Sequence, residues 1–140
     1  HTDHVLDVGC ATGYSTAVLA KLAASVVGID DDAALAAKAR SSLAALGAGN
    51  ATIADGALTD AGRAAGPYDV VVIEGSVPAV PDELFAQLKP EGRLVAVIAE
   101  KGRVPVARLY AKSGKGLASR ADFDARLPPL MTPPADSFVF

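Results

Sequence analysis

The sequence predicts an α/β domain: a mostly parallel twisted sheet with helices on both faces, closed by a C-terminal antiparallel hairpin. Five short strand-like runs alternate with four helical patterns, which is how a parallel sheet with crossover helices reads. Several of those runs are apolar throughout rather than alternating, as strands buried on both faces are. A glycine-rich turn sits between the first strand and the first helix.

Val5 to Gly9 reads as the first strand, and Tyr14 to Ala24 as a helix that offers Ala17, Leu19, Ala20 and Leu22 for packing. Ser25 to Asp30 is the second strand. The alanine-rich stretch from Asp32 to Leu46 follows as a long helix, with Asp32 as its N-cap and Gly47 as its stop. Asn50 to Asp55 is the third strand. The Ala/Gly-rich loop from Gly56 to Gly66 carries a helical turn. Tyr68 to Glu74 is the fourth strand, with β-branched residues from Val70 to Ile73. Pro81 to Leu88 is a short helix with Pro81 in its first turn, Lys89 to Gly92 a turn, and Arg93 to Ala99 the fifth strand. Val104 to Lys112 and Leu117 to Arg126, joined at Ser113-Gly114-Lys115-Gly116, read as the hairpin. Residues 1–127 are therefore expected to be one domain. Residues 128–140, with Pro128, Pro129, Pro133 and Pro134 and the ending Phe138-Val139-Phe140, are expected to be an extended surface tail.

Thirteen basic and sixteen acidic side chains give a net charge of −3, which offers no broad field for a nucleic-acid backbone. The small basic cluster of Lys112, Lys115 and Arg120 reads as a solvated turn. A single cysteine, Cys10, excludes an internal disulfide framework and suits the cytoplasm. The opening His1-Thr2-Asp3-His4 is not a basic-then-apolar leader, and the apolar runs are too short to span a bilayer, so no membrane partner is expected. His4 has no second His or Cys at ligand spacing, so no metal site is expected.

The residues that carry chemistry begin at Val5 and run to Thr16. Gly9, Ala11 and Gly13 give a G-x-A-x-G spacing. A dinucleotide fingerprint would need G-x-G-x-x-G, and position 14 is Tyr14. Asp7 stands just before the first glycine, placed to orient the loop amides or meet an amino group. Three further carboxylates, Asp30, Asp55 and Glu74, end successive strands, outside which ligands sit in open α/β sheets. Asp30 lies 21 residues after Gly9, near the spacing of a ribose-binding acid, with Asp31 next to it. Asp55 could accept from an adenine amino group, with Gly56 letting the backbone approach the base.

This loop, with Asp7 before Gly9 and Tyr14 after Gly13, is similar to the nucleotide loop of class I methyltransferases. The resemblance implies a Rossmann-like fold, S-adenosyl-L-methionine as cofactor, and cofactor contacts from Asp7, Gly9, Ala11, Gly13, Tyr14, Asp30, Asp31, Asp55 and Gly56. The wider pattern resembles the protein-L-isoaspartate O-methyltransferase family. It rests on Asp7 to Ala20, Asp55-Gly56, Tyr68-Asp69, Val77 to Pro81, Gln87 to Val95, and Leu127-Pro128-Pro129-Leu130, where members carry an aromatic-Val-Pro-Leu ending. It implies methyl transfer to the α-carboxylate of isoaspartyl residues in a protein or peptide substrate, a repair reaction. An ionised carboxylate is already a nucleophile, so such an enzyme needs alignment and exclusion of water more than a base.

Three departures bear on that expectation. Ala11 replaces the usual middle glycine, which is tolerable if its backbone avoids positive φ. Members have a helical region before the first strand that supplies a hydroxyl residue and part of the substrate cleft, whereas this chain opens at strand one. Glu74-Gly75-Ser76 stands where members carry small uncharged residues or Thr. Two like charges about 4 Å apart repel by about 4 kcal/mol at an effective dielectric near 20, so an ionised Glu74 would disfavour a carboxylate acceptor. It could instead serve as general base for a hydroxyl, amine or amide, which makes it the candidate catalytic residue. Three readings stand: the isoaspartate enzyme, a methyltransferase with another acceptor and Glu74 as base, and a cofactor-binding module without catalysis. A nicotinamide-dependent oxidoreductase fits less well because of Tyr14.

Overall fold

The computed structural model describes residues 2–125 and 127–130. Its element order is β1 (His4–Val8), α1 (Tyr14–Ala20), β2 (Ser25–Asp30), α2 (Ala33–Leu46), β3 (Ala51–Asp55), a 3₁₀ turn (Arg63–Ala65), β4 (Tyr68–Val77), α3 (Asp82–Phe85), β5 (Leu88–Ile98), β6 (Val106–Ser113) and β7 (Gly116–Asp124). They form one seven-stranded sheet in the order β3-β2-β1-β4-β5-β6-β7. The first five strands pair in parallel, and β6 and β7 are antiparallel additions at one edge.

Strand parity divides the core. Leu6, Val8, Val27, Ile29, Val71 and Ile73 point to one face, covered by Leu58 and by Leu84 of α3. Val5, Val26, Val70 and Val72 point to the other, under Leu19, Ala20 and Ala23 of α1 and its C-terminal turn. Two helices run shorter than their sequence patterns. The helix expected over Tyr14 to Ala24 ends at Ala20, because the chain must turn at once to start β2. The helix expected over Pro81 to Leu88 is one turn, since Leu88 already pairs with Tyr68. Asp32 caps α2, accepting from the Ala34 and Leu35 amides at 2.9 and 3.2 Å, and Gly47 ends it in the left-handed region.

β4 extends past Glu74 to Val77 through a bulge. Val72 pairs with Val95 and Ser76 with Val97, so Ile73, Glu74 and Gly75 oppose Ala96 alone. Such a bulge bends the strand and re-aims its side chains. The segment expected to begin a surface tail is instead held by this extension. The Ser76 amide donates to the Pro128 carbonyl and the Leu130 amide to the Ser76 carbonyl, each at 2.9 Å. The extra length of β4 leaves these groups free for pairing, and Leu130 adds an apolar contact to the core. Residues 131–140, with Phe138 and Phe140, lie outside the described residues. In the hairpin, all nine residues of β7 are exposed. Lys112 is no free member of a basic cluster: it donates to the Leu88 carbonyl at 3.0 Å and tethers β6. No helix among the described residues is long and apolar enough to cross a membrane.

Candidate functional site

The strand order reverses between β1 and β4, since the chain winds from β1 towards β3 and then returns to the other side of β1. A crevice forms outside the carboxyl ends of the strands at such a switch point. The residues singled out in the sequence converge there from β1, β2 and β4, while Asp55 and Gly56 stand further out, after β3.

The loop from Gly9 to Gly13 leaves β1 in an alternating conformation. Gly9, Ala11 and Gly13 all take positive φ, at 84°, 50° and 92°. The condition set for Ala11 is therefore not met: it adopts the left-handed region at a cost of about 1–2 kcal/mol. A specific contact offsets that cost, because its amide donates to Asp30 Oδ2 at 2.9 Å. The Gly9 and Cys10 amides both donate to the Ile29 carbonyl, so the loop is tied to the end of β2. A Cβ on Gly13 would come within 3.1 Å of the Ala39 backbone, so α2 packs directly against this turn.

Asp7 is fully buried under α1. Its Oδ2 accepts from Ser15 Oγ at 2.7 Å and Thr16 Oγ1 at 2.8 Å, which pins the start of α1 to β1. Gly28, in register with Asp7 on β2, makes the approach possible: a Cβ there would lie 2.6 Å from Thr16 Oγ1. Asp7 Oδ1 has no hydrogen-bond donor among the described residues, and a buried carboxylate oxygen without a donor is costly. Glu74 supplies the missing interaction. It follows the last β1–β4 pair, Val8 with Ile73, and its acid lies beside that of Asp7. Burial and that contact with Asp7 push the Glu74 acid up to about 8. Glu74 thus keeps its proton at neutral pH, and the expected repulsion of a carboxylate acceptor by an ionised Glu74 is absent there.

Asp30 is buried and acts on the protein itself. Beyond the Ala11 amide it accepts from the Asp32 amide through Oδ1 at 2.9 Å. Each oxygen keeps one lone pair for a ligand hydroxyl. Asp31 is exposed beside it. Asp55 ends β3 half exposed, and Arg40 of α2 binds its Oδ1 at 2.8 Å, a partner the sequence did not signal. The Arg40 guanidinium holds the Asp55 acid below the usual carboxylate range. Gly56 takes φ 142°, and its amide donates to the Asp30 carbonyl. The Tyr14 ring, 79% exposed, lies in an outer groove with Val18, Lys21 and Leu46, so its share in the loop is its backbone. Cys10 is buried, and burial, with Asp7 and Asp30 nearby, pushes its thiol up to about 11, which leaves no thiolate for nucleophilic chemistry.

The segment 127–130 closes the site from the C-terminal side. A Cβ on Gly9 would lie 2.5 Å from Leu130 Cδ1, and one on Gly75 would lie 2.6 Å from Leu130 Cβ. Both glycines exist at the price of a side chain that this segment would not tolerate. Gly75, Ser15, Thr16, Gly28 and Arg40 are parts of the site that sequence reasoning missed. Only the hydroxyl pair at positions 8 and 9 after Asp7 could have signalled itself, as a helix start facing a buried acid.

A parallel sheet of this order with a left-handed loop at its switch point is the Rossmann-like fold of the class I methyltransferases. The family model described as protein-L-isoaspartate(D-aspartate) O-methyltransferase (PCMT) matches residues 1–127, and the chain belongs to that family. It is 42% identical over 96 residues to the protein-L-isoaspartate O-methyltransferase of Methanoregula boonei, covering 69% of this chain and 44% of that protein. It is 39% identical over 129 residues to that of Azorhizobium caulinodans, covering 91% of this chain and 58% of that protein. The chain thus spans about half the length of these relatives. A solved protein-L-isoaspartate O-methyltransferase superposes with a TM-score of 0.85 at 27% identity, over 93% of this chain and 42% of the other. A Plasmodium falciparum protein assigned to the same enzyme type, solved in complex with S-adenosyl-L-homocysteine, superposes with a TM-score of 0.77 at 20% identity, over 92% of this chain and 66% of that one, and supports the fold.

Proposed function

We propose that the chain is the cofactor-binding part of an S-adenosyl-L-methionine-dependent methyltransferase that acts in the cytoplasm on the α-carboxylate of isoaspartyl residues in proteins or peptides. The observation that carries this reading is the Gly9–Gly13 loop, left-handed at three positions and anchored to β2 by the buried Asp30, at the β1/β4 switch point. The residues fit such a cofactor. Asp30 and Asp31 would hold its ribose, Asp55 and Gly56 its adenine, and the loop backbone at Gly9, Ala11, Gly13 and Tyr14 the chain between. Asp7 and Glu74 face the far end. Bound there, the cofactor supplies an electrophilic methyl group on a sulfonium.

The state of Glu74 favours a carboxylate acceptor over a hydroxyl or amine. In the chain without cofactor a protonated Glu74 does not repel a carboxylate, and a carboxylate needs no base. Leu130 and the 127–130 segment cover the loop and keep water from one side. The test is methyl transfer from labelled cofactor to an isoaspartyl peptide, with the matching aspartyl peptide as control. Incorporation into the isoaspartyl peptide alone supports the reading. Incorporation into neither, with the cofactor bound, leaves the chain a binding module.

A further inference from the structure

The paired acids at the switch point have a use beyond holding α1. Asp7 and Glu74 lie on the α1 face of β1 and β4, and the β4 bulge carries Glu74 to the crevice end of that face. Asp7 Oδ2 is taken by two hydroxyls, while Oδ1 is buried without a hydrogen-bond donor among the described residues, and the Glu74 acid lies beside this carboxyl. The adenosine-facing acids, Asp30 and Asp55, stand on β2 and β3. A cofactor whose adenosine met those acids would have its sulfonium on the β1/β4 side, where the Asp7–Glu74 pair is. A cation entering a half-buried crevice needs a counter-charge there.

We infer that Glu74 is the titrating counter-charge of the site: it gives up its proton when the sulfonium cofactor binds and regains it when the cation is gone. The inference rests on the cofactor reading proposed above. With the sulfonium bound, Glu74 releases its proton to solvent and the pair carries a second negative charge. An acceptor carboxylate that enters the crevice takes over as counter-ion, and the proton returns to Glu74. Methyl transfer then breaks the S–CH3 bond, leaves its electron pair on sulfur and forms the O–CH3 bond. The neutral thioether product meets a protonated, singly charged pair and loses the attraction that held the cofactor. Glu74 thereby separates cofactor from product by charge.

Few other titratable groups stand on the elements next to Glu74 among the described residues. On the neighbouring elements the titratable groups are Asp7 on β1, the protonated Cys10 thiol in the loop, and Asp30 at the end of β2, whose oxygens are held by amides. β5 offers Ala96 and Val97, and residues 127–130 are uncharged. Beside burial, it is Asp7 that raises the Glu74 acid.

The test has two arms on the full chain. In the first, calorimetry measures binding of S-adenosyl-L-methionine and S-adenosyl-L-homocysteine from pH 6 to pH 8, in buffers of different ionisation heat. The methionine form should release a proton and tighten by up to about tenfold per pH unit, the limit for one linked proton, while the homocysteine form should not. Glu74→Gln should remove the difference, which also separates Glu74 from the ligands' own amino groups. An equal pH dependence for both ligands, or a difference that survives E74Q, overturns the inference. In the second arm, carbon NMR follows the Glu74 carboxyl in the free chain. A midpoint far above the ordinary range, brought down by Asp7→Asn, supports the pair; an ordinary midpoint overturns it. Binding of both ligands without the pH split sinks this inference alone, whereas binding of neither sinks the cofactor reading and this inference with it.

Discussion

Two sets of acids flank the switch point, and they are held in opposite ways. On the β2–β3 side, Asp30 and Asp55 have fixed donors: the Ala11 and Asp32 amides for one, the Arg40 guanidinium for the other. On the β1–β4 side, Asp7 and Glu74 have two hydroxyls and each other. The first set is tied down by its donors, and Asp30 holds the loop in place. The second is one donor short, so it holds a proton and can change its charge. The family's cofactor suits this division, with neutral hydroxyls on its ribose and a cation at its sulfur.

The contrast can be broken at its buried end first. Asp7→Ala strips the acceptor from Ser15 and Thr16 and should cost about 2 kcal/mol in urea unfolding, with cofactor affinity falling at least tenfold. A change below the error of the titration would mean that α1 is held by its apolar contacts alone. Gly9→Ala comes next, since it forces a side chain into the left-handed region and against Leu130, for about 1–2 kcal/mol. Gly49→Ala, where a Cβ meets open space, is the matched control and should be neutral. Ala11→Gly should act in the other direction, raising stability by about 0.5–1 kcal/mol once the freer unfolded chain is counted.

The two sets should also differ in pH. The Glu74 acid is raised from 4.5 to about 8 in the folded chain, so between those values the native state binds more protons than the unfolded one. Stability should therefore fall as pH rises from about 5 to 8 and level off above it, and Glu74→Gln should flatten that slope in thermal melts. A slope unchanged in E74Q would place the titration elsewhere. The smallest effect is expected at Arg40→Ala. That ion pair is exposed at both ends, so the unfolding midpoint should not move, while the Asp55 acid should return towards its ordinary range by NMR.

The sheet was legible because its central strands are short, mostly apolar runs, and the loop because glycines and acids mark the ends of those runs. What escaped depends on contacts across the sheet. Asp30 reads as a ribose ligand by spacing alone, yet its first partners are the Ala11 and Asp32 amides. The positive φ of Ala11 follows from that amide contact, which no local pattern encodes. Glu74 reads as an ionised acid when taken alone; beside the buried Asp7 it becomes a neutral one. The prolines of Leu127–Leu130 suggest a free tail, but a bulge in β4, set by pairing with β5, leaves backbone groups that capture it. Register and bulges are long-range properties, and there the sequence pattern stops.

The most direct test of the central claim, that the switch point is a methyltransferase cofactor site, is calorimetric titration of the chain with S-adenosyl-L-homocysteine, with NAD as comparison. Micromolar binding of the homocysteine compound alone is the predicted result. Binding of NAD, or of neither ligand, would contradict it.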